Sequence, residues 1–508
     1  MEQAAFSLAK FQVEYQTEPL DIETGHPRFS WQLRGKGRGL CQSAYRIQVS
    51  RSGKIGWDSD KVTSDQTNEV YYQGQPLCPC EKYQVQLTVW NQTGETAVAS
   101  TWFETGMMEE SVEAWEGAQW LGPAQCSLYA FTKEVFSVEG ELRIPPGSER
   151  GGLVFGAQDP RLKDRDKNLS GLAGENYIAY ELDVSVLPAR LRIYRVGYSP
   201  DDRKEVPLAE HPVSGFTEIN RHDFHTLRID VVGHQAFAYL DGACMDWETG
   251  AQGERIPRQL NPLGRFDVLA FPMLCQVGFQ AGAGSSVEFR RLTVRNLRTP
   301  KAVLFEATPE HPGPFGAVKG LGVEQGCFSL MGTEETTLAT ADPSHHSMPL
   351  LRTRFAVKEG LKKARLYVTA RGVYQGQVNG ADLSKDWLQP GANQFDKHLD
   401  YQIYDITQKL LPGKNAMAFG LASGWWSDAQ TYVIANHNYF GDRPSLLAKL
   451  VLEYRDGSRE VVATRPKSWR LSAQGPVIYA GNFHGEIYDA RREDGFAGCS
   501  LAEYDDSG

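Results

Sequence analysis

The sequence predicts an all-β, multi-domain protein built from successive β-sandwiches. Three observations carry that expectation. Apolar and polar residues alternate at period two along many segments, helical periodicity is nearly absent, and 50 glycines and 26 prolines punctuate the chain with turns. At 508 residues the chain is too long for one hydrophobic core, so several domains are expected.

Taken in order, Ala44–Val49 and Tyr83–Trp90 alternate cleanly, and turn chemistry at Asn91-Gln92-Thr93-Gly94 closes the second run. Spacing of this kind predicts a sandwich of roughly seven strands in residues 1–107, followed by a linker over 108–125. A second sandwich is expected over 126–298. Its signals are Phe224–Val231 and Ala236–Leu240, joined by Gly233-His234-Gln235 as a hairpin. Val277–Gln280 and Val287–Val294 read as a closing pair around the glycine-rich loop Ala281–Gly284. Residues 299–348 are rich in Gly, Pro, Thr and His and read as an irregular connector. A third sandwich follows over 349–508. There Val373–Val378 runs into an Asn379-Gly380 turn, and Leu446–Tyr454 returns through Asp456-Gly457 to Arg459–Val462.

Composition narrows the function classes. A net charge of −10 disfavours nucleic acid and anionic membranes as partners, whereas neutral sugars are easily accommodated. No stretch approaches the roughly 18 apolar residues of a membrane helix. Met1–Tyr15 lacks the pattern of a secretory signal, and the eight cysteines show no CxxC spacing. A cytoplasmic location with reduced thiols is the expectation.

Tyr45–Ser50, Trp57–Val62, Tyr83–Trp90 and Trp102–Gly106, after Pro27–Trp31, resemble the fibronectin type III-like (Ig-like) first domain of bacterial α-L-rhamnosidases. His225–Ile229, Tyr239–Gly242 and Val287–Val294 are similar to a concanavalin-like (laminin-G-like) jelly roll, here an insertion after Trp115–Leu121. From residue 349 the likeness is to the rhamnosidase N-terminal β-sandwich. Its marks are Val378-Asn379-Gly380, Gln389-Pro390-Gly391, Tyr401–Thr407, Gly424-Trp425-Trp426, Asp456–Ser458 and Gly485–Arg491. In that family Pro-Gly is commonly followed by Trp, but here Ala392 follows. Tyr504–Gly508 is similar to a segment preceding the family's catalytic (α/α)-barrel, so the chain is expected to stop short of it. The resemblance implies a parent enzyme that removes terminal α-L-rhamnose from glycosides with inversion. This chain would then be a non-catalytic front end whose partners are rhamnose-containing glycosides and the missing catalytic domain. The alternative is a stand-alone carbohydrate-binding or scaffold protein.

Candidate site residues follow from chemistry. Trp425 and Trp426, with Asp428 and Asn379, form the candidate carbohydrate platform, because aromatic faces stack on pyranose rings while carboxylates and amides bind hydroxyls. On a strand, one of the two tryptophans would face the core and the other solvent. Asp164, Asp166, Asn168 and Glu175 have the 1, 3, 5 and 12 spacing of a calcium loop, although Leu169 stands where glycine is expected; a solvated polar loop is the default. No other cofactor is indicated. Glu486 and Asp489 lie close together in sequence, a tempting pair for glycoside hydrolysis, but Asp489 with Arg491 reads better as a structural ion pair. His345, His346 and His437 lack partners at ligand spacing, and Gly35–Gly39 reads as a basic turn. No catalytic residues are assigned.

Overall fold

The computed structural model describes residues 6–35, 38–132, 135–163, 176–245, 247–249, 251–257, 260–264, 271–298, 302–430, 438–483 and 485–506. Strands dominate it. The first sandwich pairs Phe6–Val13, Arg28–Gly35 and Val70–Tyr71 in one sheet. The other runs Lys54–Asp58, Gln42–Arg51, Lys82–Asn91 and Thr96–Glu104. Tyr83, Val85, Leu87 and Val89 point inward from one strand while Lys82, Gln84 and Gln86 face solvent, the alternation a half-buried strand requires. Their partners in the core are Phe29, Trp31, Ile47 and Phe103.

The second sandwich is the largest. Its six-stranded sheet runs Ala209–Val213, Ala189–Val196, Tyr177–Asp183, Arg150–Ala157, Gln276–Ala281 and Thr337–Ala341. The facing sheet centres on Val135–Arg143 and Ser286–Asn296, with His225–Val232 and Gln235–Leu240 on one side and Cys327–Met331 and Leu321–Glu324 on the other.

Two expectations are corrected here. The expected connector over 299–348 instead contributes strands: Ala302–Ala307, Leu321–Glu324, Cys327–Met331 and Thr337–Ala341 all pair within this sandwich. Phe328, Leu330 and Ala339 become fully or almost fully buried, and that burial outweighs the turn-rich composition. Likewise Gln276–Ala281 and Ser286–Asn296 are not a hydrogen-bonded pair. They lie in opposite sheets, and the glycine-rich loop crosses from one layer to the other. Phe279 and Phe289 meet across the core with ring centroids 4.1 Å apart.

The third sandwich packs a five-stranded sheet (Ala381–Asp382, Val373–Val378, Gly413–Ala422, Leu350–Val357, Trp469–Ser472) on a four-stranded one (Gln402–Asp405, Leu361–Arg371, Ser445–Tyr454, Arg459–Ala463). Both hairpins read from the sequence are present, at Asn379-Gly380 and at Asp456-Gly457. A separate hairpin, Val477–Gly481 with Gly485–Tyr488, lies beyond the last sheet strand.

The second sandwich leaves and re-enters the chain at one place. Leu128 bridges His345 through backbone hydrogen bonds, and the Ser127 hydroxyl donates to the Ser347 carbonyl at 3.0 Å. With its ends tied together, it interrupts the chain without separating the modules on either side. The first and third sandwiches accordingly touch. Buried Arg365 donates two hydrogen bonds to buried Glu104, at 2.7 and 2.9 Å, and Met107, Tyr367 and Val451 share a small apolar cluster.

A candidate carbohydrate-binding cleft on the third sandwich

A cleft of about 390 Å³ opens at one end of the five-stranded sheet. Its floor is apolar and comes from the strands: Leu350, Val373, Tyr374, Leu421 and Ala422. The separate hairpin forms one wall with Val477, Ala480, Asn482 and Glu486, and the loop carrying Trp387 and Leu388 forms another. That volume and that mix of apolar lining with few polar groups suit a small ligand.

Each wall has a physical anchor. The Trp387 loop is pinned where the Tyr374 N–H donates to the Gln389 carbonyl at 2.9 Å and Gln402 Nε2 donates to the Pro390 carbonyl at 3.2 Å. Before it, Ser384 and Asp386 exchange two hydrogen bonds. Trp387 is left 78% exposed, so a large aromatic face stands in solvent at the cleft mouth. The hairpin rests on Asp428, whose Oδ1 accepts from the Tyr479 hydroxyl at 2.8 Å. Gly481 makes that seat possible, since a Cβ there would lie 2.1 Å from Asp428 Oδ2. In the same wall the Asn482 amide nitrogen is buried with no acceptor among the described residues, and a buried donor without a partner is costly unless a ligand completes it.

The residues proposed from the sequence fall out differently. Trp425 and Trp426 do not lie on a strand; they sit in a one-turn helix, Gly424–Ser427, so both are half-buried rather than one in and one out. Successive helical side chains are about 100° apart, which explains the difference. Trp426 stacks on Phe440 and meets Phe395 edge-on. Asp428 is 1% exposed and supports the hairpin from below. Asn379 lies at φ +48° in its turn, and its amide is used within the fold. It accepts from Ala416 N–H and donates to Lys409 O and Asn415 Oδ1. None of the four lines the cleft itself; the turn that carries Trp425 and Trp426 reaches it through Gly424. Asp164, Asp166, Asn168 and Glu175 lie outside the described residues, as do His437, Lys36 and Gly37. His345 and His346 pack ring to ring and bond Pro343 O and Gln125 Oε1.

Among the described residues lining the cleft, Glu486 is the one carboxylate. Asp489 is engaged elsewhere: its carboxylate takes two 2.8 Å hydrogen bonds from Arg491, which pull its pKa down to about 2. Glycoside hydrolysis needs an acid and a second carboxylate flanking the bond. The cleft offers stacking, an apolar floor and a few hydrogen-bonding groups, which is the chemistry of binding.

Trp387 escaped the sequence reading. Its signal was an aromatic beside Asp386, three residues ahead of Pro390, on the same loop where Ala392 replaces the family's tryptophan.

Two family models match the chain. One describes the α-L-rhamnosidase N-terminal domain and matches residues 359–508; the other describes a Rha78A-like N-terminal immunoglobulin domain and matches residues 8–109. The first and third sandwiches thus match amino-terminal modules described for α-L-rhamnosidases.

An α-L-rhamnosidase of Streptomyces avermitilis is 29% identical over 97% of this chain and 43% of its own length. One from Alteromonas sp. (strain LOR) is 34% identical over 35% of the chain and 18% of its own length. The chain thus spans less than half of the rhamnosidase that it follows from end to end. The crystal structure of the Streptomyces avermitilis enzyme complexed with L-rhamnose superposes over 99% of this chain and 44% of that one, with a TM-score of 0.56 and 22% identity. That likeness shows a shared fold.

Proposed function

We propose that this chain is the amino-terminal accessory region of an α-L-rhamnosidase-like glycoside hydrolase, and that the Trp387 cleft holds a rhamnosyl unit. The observation that carries the first part is the alignment over 97% of this chain against 43% of a rhamnosidase. The parent enzyme would remove terminal α-L-rhamnose with inversion, while these sandwiches brace its catalytic domain and retain substrate.

The cleft supports the second part chemically. Rhamnose is a 6-deoxyhexose, so one edge of its ring carries a methyl group in place of a hydroxymethyl. An apolar floor of Leu350, Val373 and Leu421 suits that edge, and the Trp387 face suits the ring. Gln375, Asn482 and Glu486 also line the cleft, and on this reading they bind sugar hydroxyls.

Calorimetric titration with L-rhamnose and short rhamnosides, with and without calcium, tests the reading. Saturable heat that weakens about tenfold or more in Trp387→Ala, equivalent to about 1.4 kcal/mol, is expected. The same preparation should leave an aryl α-L-rhamnoside intact. No heat at millimolar sugar removes the binding role and leaves bracing alone; hydrolysis by this chain overturns the accessory reading.

A further inference from the structure

A second depression, of about 330 Å³, lies on the other side of the Gly424–Ser427 turn, where the lead-in segment around Trp120 meets the third sandwich. Trp120, Pro123, Arg371, Trp426, Phe440 and Arg443 contribute to its lining. Arg371 closes the strand Leu361–Arg371, and its guanidinium stacks on two indoles, 4.5 Å from the Trp120 ring and 5.2 Å from that of Trp426. Among the described residues its guanidinium forms no ion pair and donates no hydrogen bond, and burial pulls its pKa down.

Its neighbours leave that charge uncompensated. Asp442 is the one carboxylate among the described residues of the depression, and it is already engaged. Its Oδ1 accepts from Arg443 Nε at 3.0 Å and its Oδ2 faces the Cys126 thiol at 3.4 Å. Two arginines against one carboxylate leave a net positive site. The architecture around Arg371 is tight. Gly441 is required for Trp426 to seat, because a Cβ there would fall 2.3 Å from the indole nitrogen. Trp120 is held by its neighbour Leu121, whose backbone bridges Leu446.

A planar guanidinium fixed between two aromatic faces, its donors unmatched among the described residues and with room for a hexose in front, recognises an oxyanion carried on a pyranose ring. We propose that this depression binds a uronic acid residue of an acidic oligosaccharide, its carboxylate on Arg371 and its ring against Trp120. The site goes beyond the rhamnosyl cleft and does not depend on it.

The test is titration of the full chain at low ionic strength with methyl β-D-glucuronide, its neutral counterpart methyl β-D-glucoside, and acetate. The uronide is expected to bind at least tenfold tighter than the glucoside and than acetate, and to weaken as salt rises. Arg371→Gln should lose at least tenfold in uronide affinity, with Arg371→Lys intermediate. Trp120→Leu removes the stacking face without touching the charge, so it reports even where Arg371→Gln fails to fold, and it too should weaken the uronide. Equal affinity for uronide and glucoside, acetate binding as well as uronide, or wild-type affinity in Arg371→Lys and Trp120→Leu together would each overturn the proposal. L-Rhamnose titration of Trp387→Ala reads the other cleft independently, so the two failures are distinguishable.

Discussion

Replacing Arg365 with methionine tests whether the first and third sandwiches form one mechanical unit. Arg365 is 5% exposed and Glu104 is 3% exposed, and two hydrogen bonds join them, at 2.7 and 2.9 Å. Arg365 also pairs with Asp405 at 2.9 Å, while Lys363 reaches Glu104 at 3.6 Å. Methionine keeps most of the aliphatic volume, so the loss is electrostatic rather than a cavity. Stripping one partner from a buried pair costs about 3–5 kcal/mol, because the other charge stays buried. Lys363 remains near Glu104 and brings the expectation to the lower end, about 3 kcal/mol. At about 2–4 °C per kcal/mol for a domain of 150–250 residues, the transition should fall by roughly 6–12 °C. Scanning calorimetry should also show the first sandwich melting apart from the third. Combining Glu104→Gln with Arg365→Met removes the orphaned charge and should restore a large part of the loss. A single variant within about 0.5 kcal/mol of wild type, or a double variant as costly as the two singles summed, would refute the coupling.

Two further outcomes follow from the same geometry. Asn379→Ala should cost about 2–3 kcal/mol in urea unfolding, since alanine pays for the left-handed φ of +48° and three hydrogen bonds disappear; Asn379→Gly should recover only the backbone part. Glu116, in the lead-in segment, is pulled from 4.5 to about 2 by hydrogen bonding from Arg459, against a burial cost, with Lys449 adding to the pull. Its folded pKa lies below the unfolded one, so its contribution is complete above about pH 4.5 and disappears as pH falls towards 2. The stability difference between wild type and Glu116→Gln, followed by thermal unfolding, should therefore shrink across that window. A difference that stays constant from pH 6 to pH 2 would contradict it.

The candidate cleft was legible only in part. The sequence marked Gly424-Trp425-Trp426 and the Gln389-Pro390-Gly391 loop, and both border the cleft region. It misassigned the roles. Asp428 was expected to meet sugar hydroxyls, yet it supports the hairpin wall, and Asn379 is consumed by its own turn. A polar side chain carries the same chemistry whether it faces a ligand or a neighbouring backbone. Composition does not separate the two. Trp387 has the opposite history: its place beside Asp386 and ahead of Pro390 hinted at a loop, but only the pinned loop of the structure turned its ring outward.

What the sequence alone determined was local. Period-two alternation specified the all-β class and the buried face of strands such as Lys82–Asn91, and Asn-Gly and Asp-Gly steps specified two hairpins. Both follow from backbone geometry within a few residues. Tertiary structure decided which strands pair and where surfaces converge. It placed Gln276–Ala281 and Ser286–Asn296 in opposite sheets, recruited 302–341 into the second sandwich, and joined Glu104 to Arg365 across 261 positions of chain. It also brought Trp120 beside Arg371. Alternation shows that a face is buried but not against what, because the partner is selected by long-range packing that no local pattern encodes.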